Sequence, residues 1–398
     1  MSQRIYGGQI VKVVKQRCQP HLSFFVDKSV TIFLFQPPSG LINEPLLAQY
    51  SAAITSTNQK VKTFNFLGCH VNRIELPAST SAREFREILA DAAVNRGSLG
   101  IIVQNPVPEA KLRAEIAKIP PQLDIDGINE TSVFQASATS EAISRLVSDF
   151  ALASERVAVV GSMGFVGSGV VKLLLPEDIE IIELDKSKGD TDSQIKQGVL
   201  DADLVVTATG QANLIQPDYL KPEHKLVIDA GFILQEDGLI LGDISKEAYD
   251  IPQYLTPVPG GVGPAQMAVL LERIMKVAKI EIQPWDYHKD ILEPLQLEKT
   301  ASINSLYLQY SQTVETTGLS KAKEIAKNAL AEGIESERVT DMLTQNNAAY
   351  QELVARSGAA QARKIVVAKA EAELALSQEE RSSPQQLPKN DRSKGKSP

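Results

Sequence analysis

A chain of 398 residues with 43% hydrophobic and 23% charged residues has room for two or three globular domains and ample core. Its 41 Lys and Arg against 49 Asp and Glu leave a net charge of −8, which argues against a broad nucleic-acid or anionic-membrane surface. Cys18, Cys69 and four scattered histidines form no metal-ligand spacing, no apolar run reaches the roughly 18 residues of a membrane span, and the first residues lack a signal-peptide core, so the reading is a soluble cytoplasmic protein without a metal.

Short apolar runs alternate with helical patterns up to about residue 280. Residues 30–35 (Val-Thr-Ile-Phe-Leu-Phe) have the β-branched and aromatic content of a strand. A helix is predicted over 44–67, a strand over 71–76, a helix over 82–95, a strand over 100–104 and a helix over 110–119. A second series starts near residue 140, with strands at 156–160, 179–184, 204–208 and 225–229 and a helix containing 170–175. Such alternation predicts an α/β fold, an N-terminal α/β domain over 1–139 followed by a Rossmann-type doubly wound parallel sheet over 140–285. Residues 286–378 carry helical periodicity without a strand candidate and form an added helical extension, with helix breaks at Gly318 and Gly333. Residues 379–398, rich in Ser, Pro, Lys and Arg, are expected to be a disordered tail.

Three segments point to chemistry. Gly161-Ser162-Met163-Gly164-Phe165-Val166-Gly167 follows a strand and opens a helix, spaced so that a pyrophosphate can approach the backbone and the helix N-terminus. Asp185, ending the next strand, can accept hydrogen bonds from both hydroxyls of an adenosine ribose and would repel a ribose phosphate, favouring NAD; Lys186 beside it leaves NADP open. Leu255 to Pro264 holds three prolines and three glycines in ten residues, a stiff and bare loop suited to contact a flat ligand, and feeds a helix over 265–273.

These motifs resemble the methylenetetrahydrofolate dehydrogenase/methenyltetrahydrofolate cyclohydrolase family. The loop from Thr256 to Pro264 is similar to that family's signature near its C-terminus, Gly100-Ile101-Ile102-Val103-Gln104-Asn105-Pro106-Val107-Pro108 to its strand-and-loop signature, and Asp124-Ile125-Asp126-Gly127 to its Asp-Val-Asp-Gly turn. Gly242-Asp243-Ile244 fits a later Gly-Asp-Val element, and the likeness spans roughly residues 4–280. It implies a folate cleft between the two α/β domains, a tetrahydrofolate derivative as substrate, NAD or NADP as cofactor, and a homodimer through the Rossmann half. It places the catalytic lysine on Lys60, the catalytic glutamine on Gln104 and the folate-holding aspartate on Asp126, with Ser56, Pro259, Gly260 and Gly261 on the substrate side. Gly161, Ser162, Met163, Gly164, Gly167, Asp185, Lys186, Thr209, Gly210, Asp229 and Gly231 make up the cofactor side. In those roles a lysine in an apolar cleft can move protons, a glutamine can orient it without adding charge, and an aspartate can receive a pterin-like ring edge.

The chain departs from the family at Ser56, where a tyrosine that stacks on folate is usual, at Ala53, where a serine is usual, and at Asn105 in place of leucine. Tyr50 does not share the helical phase of that tyrosine. Ser162-Met163 and Asp185-Lys186 replace the family's Arg-Ser and Ser-Arg, and Gln266-Met267 replace small or hydroxyl residues. Three functions are therefore weighed: an NAD(P)-dependent methylenetetrahydrofolate dehydrogenase with cyclohydrolase activity left open; a catalytically reduced relative that binds folate or dinucleotide and acts through its helical extension; and an oxidoreductase on another small substrate.

Overall fold

The computed structural model describes residues 2–235, 238–314 and 317–382. The chain divides into two compact units, residues 1–291 and 292–398.

In the first unit, β1 (Gln3–Arg4) leads into α1 (Gly7–Cys18), and β2 (Ser29–Phe35), α2 (Glu44–Leu67), β3 (His70–Leu76), α3 (Ala82–Val94), β4 (Ser98–Gln104) and α4 (Ala110–Ile116) follow. The strands β3-β2-β4 form a three-stranded parallel sheet. All seven residues of β2 are buried, as expected for a central strand covered on both faces. Phe33 and Phe35 meet Phe85 of α3 edge to face, with centroids 5.6 and 5.4 Å apart. α2 starts where the Asn43 side chain accepts from Leu46 N at 3.0 Å and stops at Gly68 with φ 81°, so both helix ends are capped by residues suited to the task.

The chain then runs through α5 (Ala138–Phe150), β5 (Arg156–Val160), α6 (Phe165–Leu174), β6 (Glu180–Leu184), α7 (Asp192–Asp201), β7 (Leu204–Thr207), β8 (Leu226–Asp229), the short pair β9 (Ile233–Leu234) and β10 (Ile240–Leu241), β11 (Tyr254–Thr256) and α8 (Val262–Val277). The six-stranded parallel sheet has the order β1-β11-β8-β7-β5-β6, the doubly wound arrangement expected from the sequence. From β5 the chain goes outward to β6 and returns to β7 on the other side, so the ligand crevice of such a sheet lies at the ends of β5 and β7. The N-terminal residues join this sheet rather than the smaller one: Gln3 pairs with Tyr254 and α1 packs along α8. Gly7 N donates to Gly260 O at 3.0 Å, and a Cβ on Gly7 would lie 2.2 Å from Gly261 O, so the chain start is pressed against the proline-glycine loop.

Among its described residues, the second unit is helical: α9 (Glu293–Val314), α10 (Leu319–Ala331), α11 (Ser336–Asn346), α12 (Ala348–Ser357), α13 (Ala359–Arg363) and α14 (Lys369–Ser382), with a π-helical turn between the last two. It has its own core, in which Ile325, Val339, Met342, Tyr350 and Val367 pack together. Asn347 is fully buried; its Nδ2 donates to Val314 O at 2.6 Å and Thr317 O at 2.7 Å while its Oδ1 accepts from Tyr350 N, so one side chain closes three backbone groups. Beyond the breaks expected at Gly318 and Gly333, the helical extension is also broken at Gly358, whose φ of 81° no helix interior accepts. Helix α14 reaches Ser382, and the rest of the expected tail, 383–398, lies outside the described residues.

Candidate active site

A cavity of about 560 Å³ lies in the first unit. One wall is a face of α2, on which Ala52, Ala53, Ser56 and Gln59 recur at helical spacing. The others are Gln104–Pro106 from the last residue of β4 onward, residues 229–232 from the last residue of β8 onward, and residues of the loop and helix start between 257 and 266. Pro259, Gly260 and Gly261 all line it, and Gly260 takes φ 112°, a backbone angle natural only to glycine.

Behind this wall sits Lys60, on α2 one turn beyond Ser56 and 1% exposed. Its Nζ donates to Gln104 Oε1 and to Asp126 Oδ2, each at 2.8 Å. Gln104 lines the cavity; Lys60 and Asp126 stand one layer deeper. The turn carrying Asp126 is held by Asp124, a fully buried carboxylate that accepts from the backbone N–H groups of Gly127, Ile128 and Asn129 at 3.1, 3.2 and 2.9 Å. Burial pushes the Asp124 carboxyl up and the amides of Asn129 and Ile128 oppose that rise. Arg273 of α8 ties the same turn down from behind: it donates to Ile125 O at 3.0 Å and Ala136 O at 2.8 Å and pairs with Glu141 at 2.6 Å. Gln266, early in α8, points its Nε2 at Asp126 Oδ1 across 3.5 Å.

A second, smaller cavity of about 120 Å³ opens at the β5 and β7 ends and is lined by Gly161, Gly164, Asp185, Lys186 and Thr209, among others. Gly161 has φ 87°, and a Cβ there would meet Ala208 O at 2.6 Å; one on Gly167 would meet Gly161 O at 2.1 Å. These two glycines make the tight strand-to-helix turn, while Gly164 caps α6 with more room. The Ser162 hydroxyl is buried without a hydrogen-bond partner among the described residues, and Met163 is exposed. Asp185 accepts from Met163 N at 3.0 Å, Ser187 N at 2.8 Å and Ser187 Oγ at 2.6 Å. Burial works against its ionised form, but these hydrogen bonds prevail and hold the carboxyl below its usual range. Lys186 is paired with Asp192 at 2.9 Å.

Asp229 borders the first cavity, but its carboxylate is fully buried and accepts from the amides of Gly231, Asp243 and Ile244. Asp243 in turn accepts from the amides of Thr209 and Gln211 at 2.7 and 3.1 Å. Burial, and then the charge of Asp243, push the Asp229 carboxyl up to about 7. This pair of acids fixes the loops holding Thr209, Gly210 and Gly231, so Asp229 shapes the backbone around the crevice with its side chain turned inward. Tyr50 is buried in the core of the smaller sheet.

The sequence reading assigned no role to Gln59, Phe232, Asp243, Arg273 or Gln266. Asp243 and Gln266 stood in motifs already singled out; Arg273 carried no local signal, because its partners are carbonyls 137 and 148 residues away.

The family model described as tetrahydrofolate dehydrogenase/cyclohydrolase, NAD(P)-binding domain, matches residues 137–282. The bifunctional protein FolD of Bacillus pumilus is 30% identical over 246 residues, covering 59% of this chain and 85% of that protein. The FolD of Exiguobacterium sibiricum is 32% identical over 253 residues, covering 59% of this chain and 87% of its own. Among solved structures, the Trypanosoma brucei N5,N10-methylenetetrahydrofolate dehydrogenase-cyclohydrolase, complexed with NADP cofactor and an inhibitor, shares the fold with a TM-score of 0.61 at 22% identity, over 70% of this chain and 97% of that one.

Proposed function

The chain belongs to the tetrahydrofolate dehydrogenase/cyclohydrolase family, and from that premise we propose that it oxidises the methylene bridge of methylenetetrahydrofolate with a nicotinamide dinucleotide and hydrates the methenyl product. The observation that carries the reading is the Lys60 ammonium, 2.8 Å from both Gln104 Oε1 and Asp126 Oδ2, directly behind a cavity that Gly260 also lines.

In the first step a methylene C–H bond breaks and its electron pair leaves as hydride, so the folate becomes a methenyl cation. The bound dinucleotide supplies the hydride acceptor. Gln104, a neutral carboxamide, holds the lysine without placing a further charge beside that cation. In the second step a water oxygen bonds to the methenyl carbon, one carbon–nitrogen bond opens to leave a formyl group, and one net proton is released. Lys60 has three N–H bonds, of which two serve Gln104 and Asp126. Passing one proton to Asp126 Oδ2 over their short contact turns the ammonium into an amine that can take a proton from the attacking water.

The dinucleotide crevice suits its ligand on two counts. Gly161 and Gly167 leave no room for a Cβ at the turn, and the buried Ser162 hydroxyl lacks a partner among the described residues. Asp185 would receive ribose hydroxyls and repel a ribose phosphate, and Lys186 is already engaged by Asp192, so NAD is proposed as the preferred cofactor and NADP as the lesser one. The proposal extends to a homodimer through the larger sheet, checked by sedimentation. No described helix is long and apolar enough to cross a membrane, and the cytoplasm is proposed as the compartment.

The test is turnover of methylenetetrahydrofolate by the full chain with NAD or NADP, read as absorbance of the reduced nicotinamide. Activity with NAD and its loss in Lys60→Met are expected. A second reading, favoured by Ser56 standing on the cavity wall at the position where the family's stacking tyrosine is usual, is a relative that binds both ligands without turnover. Binding of folate and dinucleotide with no reduced nicotinamide formed would decide for it.

A further inference from the structure

Five carboxamides, Gln49, Gln59, Gln104, Asn105 and Gln266, line the larger cavity. Two of them have their polarity set by a charged neighbour. An ammonium only donates, so Gln104 turns its Oε1 to Lys60 and keeps its NH2 for the cavity. A carboxylate only accepts, so Gln266 turns its Nε2 to Asp126 Oδ1 and keeps its own Oε1 for the cavity. The buried ion pair therefore orients one donor and one acceptor in the lining of a single cavity.

We infer that Gln104 and Gln266 read the polarity of the substrate's ring edge, Gln104 donating to a ring carbonyl and Gln266 accepting from a ring N–H. The matching ligand edge is a lactam; an amino-substituted edge with an unprotonated ring nitrogen has the reverse order and is disfavoured. This rests on the folate reading, in which the pterin supplies the lactam. Gln266 also stands over the Asp126 oxygen that Lys60 does not use, so a basic ring edge meets a neutral carboxamide where it would otherwise meet a carboxylate.

The experiment titrates the full chain calorimetrically with folic acid and with its 4-amino counterpart, aminopterin. Folic acid is expected to bind at least about tenfold more tightly, the worth of hydrogen bonds made against hydrogen bonds frustrated. Gln266→Met, which keeps volume and helix propensity, is expected to weaken folic acid about tenfold and erase most of the preference. Gln266→Ala, which uncovers Asp126, is expected to tighten aminopterin. Equal wild-type affinities, a wild-type preference for aminopterin, or a preference that survives in Gln266→Met would overturn the inference; the wild-type comparison decides alone if a variant does not fold. Failure of both compounds to bind would instead sink the folate reading, and this inference with it.

Discussion

Replacing Lys60 with methionine separates what the buried ion pair does for stability from the catalytic role proposed for it. The Lys60 and Asp126 side chains are 1% and 10% exposed, so water screens the pair little. Lys60→Met leaves the Asp126 carboxylate within the protein, with the Gln266 contact at 3.5 Å as its remaining side-chain hydrogen bond among the described residues, and removing one partner of such a pair costs about 3–5 kcal/mol. The double variant Lys60→Met/Asp126→Leu removes both charges and is expected to return to within about 1 kcal/mol of the wild type, or to exceed it. Trp285, the single tryptophan of the chain, is buried in the first unit, so its fluorescence follows unfolding of the part that contains the site. In urea the single variant should shift the midpoint down by about 1–2 M and the double variant should recover most of that. Both should lack turnover. A single variant as stable as the wild type, or a double variant no better than the single, would refute the buried-pair argument; turnover in the double variant would remove Lys60 from the proton path.

Three further outcomes follow from the same geometry. Ser56→Tyr puts a ring on the cavity wall and should tighten folate binding by about 1–3 kcal/mol in calorimetry, whereas an unchanged affinity would show that position 56 does not face the ring. Asp185→Asn keeps hydrogen-bonding groups near Met163 and Ser187 but removes the charge, and the NADP-to-NAD ratio of kcat/KM should rise by about tenfold; a constant ratio would mean that Asp185 does not read the ribose. Asp229 is raised from 3.8 to about 7 in the fold, by burial first and by Asp243 second, so the native state binds its proton more tightly than the unfolded chain. Its stabilisation is complete below the unfolded value and is lost as pH rises through about 7. The urea midpoint should therefore decline across that window, and Asp243→Asn should flatten the decline.

The framework was legible where its central strands are apolar runs, as in β2, β4, β5, β7 and β8, and where side chains cap its helices, as in α2, α3, α5 and α7. The helix over 44–67 runs between Asn43 and Gly68, whose capping roles can be read from residue type. The central strand β2 is a continuous apolar run because both its faces are covered. β1 could not be read this way: it is two residues long and its partner lies about 250 residues onward in β11. The grouping of Lys60, Gln104 and Asp126 was legible through the likeness to a family and hardly otherwise. Lys60 bonds to residues 44 and 66 positions away, and nothing in the polar stretch around it marks one lysine as buried. The Asp229–Asp243 arrangement escaped for a related reason, since a carboxylate that serves backbone amides carries no pattern beyond its own identity.

Apart from Ser162, Met163, Asp185 and Lys186 at the dinucleotide turn and the buried Met267, the departures from the family pattern are not scattered over the fold. Ala53, Ser56, Asn105 and Gln266 all line the same cavity, whereas Lys60 and Asp126, one layer behind, match the pattern and are joined by a short ion pair. A ligand at the proposed site therefore meets an altered surface backed by the unaltered groups to which proton handling is assigned above. Contacts made equally in ground and transition states change KM and leave kcat alone, while loss of a proton carrier lowers kcat. Returning the lining residues to the family's types, Ser56 to tyrosine first, should accordingly move KM for the folate by more than it moves kcat. If kcat rose instead with KM unchanged, the tyrosine hydroxyl would be acting on Lys60 itself, and the division between a reading layer and a reacting layer would fail.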